Sequence, residues 1–301
     1  MFKQIIIALA AVFLGSSLSA GERWVRGAFV LHSLEGEVSL GELGQESFSP
    51  EPSDLPFAMG GLLVAGAKPG SHILLSASNR VFMEFRGEGS FRVERFEQIM
   101  PEEDAWRQSE EESGQSRMLV FLRSGQLFID NRATSDASQH SVETPIGRVS
   151  GGLALWQIRI SHDPRNDIFN FEISCSDGRL RFTDNRGENY VLRGGQRLTG
   201  AGGRMNPGIE VVDVTNADRQ AMQGFIARRE NVRDLADGFA SYAASIEPMV
   251  ALPNPEQDIE EAAVGVRAVR RVVIEHAPRT DSLVPFRGEI PPPRGARADL
   301  F

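Results

Sequence analysis

Gly125-Gln126-Leu127-Phe128-Ile129-Asp130-Asn131-Arg132 is the stretch whose reading decides the fold class. A glycine opens it, one polar spacer follows, and Leu127 and Ile129 then fall two residues apart. That period places both on one face of a β-strand, and Asp-Asn-Arg closes the strand with turn residues. The glycine reads as the end of a preceding turn. The same plan recurs in Gly178-Arg179-Leu180-Arg181-Phe182, which leads to Asp184-Asn185-Arg186. Two shorter copies are Gly36-Glu37-Val38-Ser39-Leu40 and Gly89-Ser90-Phe91-Arg92-Val93. This is a repeated hairpin unit without the fixed period of a solenoid.

Further strands fill the gaps. Ile73 to Ser76, Val81 to Phe85, Met118 to Leu122, Leu153 to Ile160 and Phe169 to Ser174 are rich in β-formers. Thr144-Pro145-Ile146-Gly147 and Ser78-Asn79-Arg80 supply turns between them. Many short strands with frequent turns predict a mainly β fold of stacked antiparallel sheets, sandwich or jelly-roll-like, with a C-terminal helical extension. Residues 41–56 and 101–116 read as loops. The second carries six acids against one arginine and holds Trp106, an indole suited to stacking on a sugar or docking a partner.

The pattern changes at Thr215-Asn216-Ala217-Asp218, a capping box in which the Thr hydroxyl caps a helix start and Asp218 reaches back. Phe225, Val232, Phe239 and Ile246 follow at seven-residue spacing, on a helix that can run to Glu247 before Pro248 stops it. With Trp106, these four make the candidate partner surface, and docking on the chain's own β-domain is the competing use of the stripe. A second helix is expected from Asn254-Pro255, before a Pro-rich tail. The domain limits read as a signal peptide over 1–20, a β-domain over 21–203, a linker and long helix over 204–247, and a Pro-rich extension over 248–301. Gly200-Ala201-Gly202-Gly203, at the end of that β-domain, reads as a linker.

Lys3, the apolar run Ile5 to Leu14 and the small residues to Ala20 are the parts of a secretory signal. The expected location is periplasmic or extracellular, with cleavage near Ala20 and no membrane span left afterwards. The formal net charge of −9 argues against nucleic acid as a partner. Only Lys3 and Lys68 are lysines, so 32 − 2 leaves 30 arginines. One cysteine, Cys175, excludes an intrachain disulfide and any multi-cysteine metal site. The five histidines stand alone, and no HExxH, GxSxG or P-loop pattern occurs. No catalytic, cofactor or metal residue is assigned.

The region from about Gly36 to Leu198 resembles the FecR domain, the periplasmic module of the iron-dicitrate transport regulator family. The residues that carry the likeness are Gly36-Glu37-Val38, Gly66 to Ile73, Leu122 to Ile129, Val142-Glu143-Thr144-Pro145-Ile146-Gly147-Arg148-Val149, Ser176 to Leu180, and Tyr190 to Gln196. Where the family usually has Gly-Thr after the Thr-Pro turn, Gly152-Leu153 stands one residue short. The family's cytoplasmic anti-sigma region is not seen ahead of the module, where the signal-like segment stands instead. The resemblance implies a β-rich exported module that binds another envelope protein, with no catalytic residue to carry over. The expected function is therefore non-catalytic protein–protein recognition or signalling in the bacterial cell envelope. A structural or glycan-associated envelope protein is the alternative, and an unrecognised hydrolase the second.

Overall fold

The computed structural model describes residues 24–42, 62–99 and 111–232, all within the first of two compact units, which runs to Pro255. The β-strands are β1 (Trp24–Arg26), β2 (Phe29–Glu35), β3 (Val38–Glu42), β4 (Leu62–Gly66), β5 (His72–Ala77), β6 (Phe82–Ile99) and β7 (Ser116–Asp130). They continue as β8 (Gln139–Thr144), β9 (Gly147–Asp163), β10 (Ile168–Asp184), β11 (Asn189–Arg193), β12 (Gln196–Gly203) and β13 (Asn206–Asp213). One helix follows, α1 (Asn216–Glu230). The mainly β fold expected from the periodicity is the fold observed.

All thirteen strands belong to one hydrogen-bonded sheet, and that sheet is folded over on itself. The pairing shows how. Residues 82–86 of β6 pair with β5 and with 126–130 of β7, whereas 90–98 pair with 116–124 of β7. In β10, residues 169–175 pair with β12 and 179–183 with β11. Each long strand thus contributes one half to each of two layers. The first layer runs β2, β5, then the halves of β6, β7, β9 and β10, then β12 and β13. The second runs β3, β4, the other halves of β6 and β7, β8, the other halves of β9 and β10, and β11.

Ring contacts confirm the fold-over. Phe85 and Phe91 have ring centroids 5.5 Å apart, yet six residues of straight strand span about 20 Å. Phe171 and Phe182, further apart still in β10, have centroids 6.1 Å apart. Register shifts mark the bends, between Arg86 and Ser90 in β6 and between Cys175 and Arg179 in β10. The parity of buried positions changes there too. In β7 the buried set moves from Met118, Val120 and Leu122 to Leu127 and Ile129, because one extra residue is taken up in turning the strand. Gly125 lies at that turn with φ +104°, a backbone angle that side chains disfavour. The repeated glycine therefore does a different job from the one its sequence context suggests. Gly36 sits in a turn between β2 and β3, but Gly89, Gly125 and Gly178 lie inside long strands, where they carry the chain from one layer to the other.

The layers enclose one apolar core from both sets of half-strands, with Phe29, Phe85, Trp156 and Phe171 from one and Phe91, Val120, Leu180 and Phe182 from the other. Three further features depart from the expectations. β7 and β8 pair in parallel, because residues 131–138 recross the sandwich instead of closing a hairpin. The stretch from Gly200 to Asp213 is no linker. It forms the end of β12 and all of β13, which pairs with β12 from Gln196↔Asp213 to Gly203↔Asn206. Finally, α1 begins with the expected capping box at Thr215 but closes at Glu230, with Asn231 as its C-cap.

Candidate functional site

The two outer faces of the sandwich differ, and the difference locates the site. The outer face of the first layer is occupied by α1. Phe225 is fully buried and packs on Phe128, with ring centroids 5.5 Å apart. Met222 joins it over Leu74, Phe82 and Leu155, and Val232 is partly buried against the same cluster. Ion pairs fasten both ends of the helix. At the C-terminal end Arg228 donates from Nε and Nη2 to Glu84 at 3.0 and 3.1 Å, and Arg229 pairs with Asp130. Arg86 also pairs with Glu84. At the N-terminal end Gln157 Nε2 donates to Asp218 Oδ1 at 2.9 Å, and Arg197 Nη1 lies 3.4 Å from Oδ2. Glu84 and Asp130 are buried, and each is shared between a helix arginine and one from the sheet or its turns, Arg228 with Arg86 and Arg229 with Arg132.

Phe225 therefore faces the chain's own sheet and is no part of an open partner surface. Val232 follows it in part. Trp106, Phe239 and Ile246 lie outside the described residues, as do the signal-like segment, the second helix and the Pro-rich tail.

A groove of about 720 Å³ lies on the first layer over Arg159, Glu172, Thr199 and Glu210. Its charges already satisfy one another in part, since Arg159 and Arg197 both donate to Glu172, at 3.2 and 3.3 Å.

The outer face of the second layer has no helix on it among the described residues. A groove of about 940 Å³ crosses β8, β9, β10 and β11 there. Strand register builds its floor. Ser141 stands opposite Ser150, Ser150 opposite Arg181, and Arg181 opposite Val191. A parallel row sets Gly152 opposite Arg179 and Arg179 opposite Arg193. Leu180 and Phe182 point into the core, so Arg179 and Arg181 must point out. Gly152 is exposed, and a Cβ placed on it would meet nothing within 4 Å, so the floor is open to the backbone there. Arg148 at one side is paired with Glu143. Arg179, Arg181 and Arg193 have no ion-pair partner among the described residues, and Arg179 faces Arg193 directly. Like charges opposed on a sheet are unfavourable. The result is a positive strip on a chain whose net charge is −9.

A buried polar hub supports the groove from below. Asn131 donates to Gly151 O at 3.0 Å and accepts from Ala154 N at 3.1 Å, which pins the bend of β9. His140 bridges Ser116 Oγ at 3.0 Å and Asn131 Nδ2 at 3.3 Å. Burial lowers the His140 pKa to about 4. A neutral ring fits the geometry, with Nδ1 accepting from Asn131 and Nε2–H donating to Ser116 Oγ, while the Asn79 amide, 3.1 Å from Nε2, donates to that same Oγ. Ser116 and His140 stand at the separation of a nucleophile and its base, but Ser116 is fully buried, so the pair serves the fold. No group of three potential metal ligands occurs among the described residues. Burial also raises the thiol of Cys175, to about 11.

No family model matches this chain, and no curated protein matches it. Two crystal structures of a "putative anti-sigma factor" from Parabacteroides distasonis, at 2.50 Å and 1.65 Å resolution, are similar to it in part. They share 12% and 11% identity with it at a TM-score of 0.37, over 52% and 54% of this chain and 62% and 64% of theirs. The chain thus spans less than two thirds of their length, and a likeness of that size adds nothing to the reading of the groove.

Proposed function

We propose that the protein is an exported, non-catalytic, FecR-like recognition module of the bacterial envelope, and that the outer face of its second layer is where a protein partner docks. The observation that carries this is the asymmetry of the sandwich. One outer face carries α1, anchored to Glu84 and Asp130, and the groove beside it holds charges that pair with one another, whereas the other face presents unpaired arginines along an open groove. The order of the FecR-like motifs and the signal-like segment support the envelope location.

Two measurements test it. Mass spectrometry of chain recovered from the envelope or medium should show a start at Ala20 or Gly21, and a cytoplasmic chain with Met1 intact defeats the location. A photo-crosslinking residue placed at Val191, which is 39% exposed on the open face, should give a discrete protein adduct in the producing cell. The same probe at the exposed Arg219 of α1 should not. Equal yields at both positions, or none at Val191, remove the docking face.

A further inference from the structure

Resting on that reading, we propose that the partner presents an acidic, extended polypeptide segment whose alternate carboxylates pair with Arg179, Arg181 and Arg193. Three features select this chemistry. Arg179 and Arg181 are two residues apart on one strand, about 6.6 Å, which is also the repeat of same-face side chains on an extended chain lying along it. Arg193 stands directly across from Arg179, so two guanidiniums converge on one row. A guanidinium fork matches a carboxylate in a bidentate pair, and a ligand that neutralises Arg179 and Arg193 together relieves their mutual repulsion.

The floor between these rows suits a main chain. The hydroxyls of Ser141 and Ser150 and the uncovered backbone at Gly152 line it. A broad anionic surface fits less well. The same groove is lined by exposed Asp136, and Glu143 stands at its side paired with Arg148. A planar bilayer or a nucleic acid would meet these acids together with the arginines, and the remaining negative charge of the chain would oppose it.

The test uses the full mature chain and two fluorescent peptides of equal composition and charge, one alternating Glu and Thr over ten residues, the other with five Glu followed by five Thr. Anisotropy should show the alternating peptide binding at least fivefold more tightly than the block peptide. The R179E/R181E variant should weaken it tenfold or more. R165E/R219E, with the same change in net charge on exposed residues elsewhere, should weaken it less than twofold. Both variants should keep the parent's circular dichroism melt within a few degrees. Equal loss in the two variants means a long-range charge effect and overturns the site. Equal binding of the two peptides overturns the extended register. Binding of phosphatidylglycerol vesicles with the same dependence on Arg179 and Arg181 assigns the strip to a lipid surface and overturns the peptide. If neither peptide binds while the adduct at Val191 persists, the recognition face stands and the acidic segment falls.

Discussion

Gly125 tests the fold-over most sharply, because two separate costs meet at one atom. Its φ of +104° is close to inaccessible for a side-chain-bearing residue, and an added Cβ would lie 2.5 Å from Cε2 and 2.7 Å from Cζ of Phe85. Holding such a backbone angle costs about 1–3 kcal/mol. Forcing a methyl into a filled core costs roughly another 1–3 kcal/mol. Gly187 separates the two contributions, since it has φ +87° but nothing within 4 Å of its added Cβ. The unfolded chain loses the same freedom at either position, so that effect cancels in the comparison. Gly125→Ala should therefore be less stable than Gly187→Ala by about 2 kcal/mol, the methyl's share alone. For a domain of this size that difference lowers the melting temperature by roughly 4–8 °C. Calorimetry on the two variants side by side reads it. If they melt together, or if Gly187→Ala melts first, Phe85 does not press on the bend, and the layers do not close at Gly125 as described.

Phe225→Ala should expose α1 and leave the sandwich standing: the deletion forfeits about 3 kcal/mol, amides of 216–230 should exchange faster by hydrogen-exchange mass spectrometry, and those around Trp156 should keep their protection. A uniform loss would mean that the helix belongs to the cooperative core. His140 is neutral in the fold with a pKa of about 4 against an ordinary 6.5, so the unfolded chain takes up a proton that the folded chain refuses, and stability falls as pH drops from 6.5 toward 4. His140→Gln should flatten that slope by about one proton in denaturant titrations across this range, and an unchanged slope refutes the neutral buried ring. Cys175 is buried with its thiol pushed up to about 11, so it should resist a thiol reagent at pH 8 until denaturant is added. Prompt labelling of the folded chain would contradict its placement.

Local order was legible wherever one short range of chain decides the structure. Alternation found the strands, and Thr215 with Asp218 found the helix start to the residue. The echo of Gly125 to Arg132 in Gly178 to Arg186 also has a physical basis. In both copies the aspartate accepts from the backbone and the guanidinium of the arginine two residues on, and the asparagine between them holds another segment, the bend of β9 for Asn131 and the turn at Pro145 for Asn185. What escaped depends on distance along the chain. Glu84 and Arg228 are 144 residues apart and Asp130 and Arg229 are 99 apart, so nothing local marks them as the helix anchors. The strand β13 was lost because Pro207 and Gly208 interrupt its start, although Ile209 and Val211 keep the period. Arg179 and Arg181 stood in plain view beside Leu180. That they lack partners, and that Arg193 faces them, emerges only once β10 and β11 lie side by side.

The bends have a consequence for how such a protein can change in size. A strand confined to one layer would lengthen that layer alone and leave its inner face uncovered. Here the unit of growth is a crooked ribbon, β6 with β7 or β9 with β10, and each adds width to both walls in the same step. A chain of this kind can gain or lose a ribbon by duplication or deletion with its lining still matched. Neither wall can be inherited without the other.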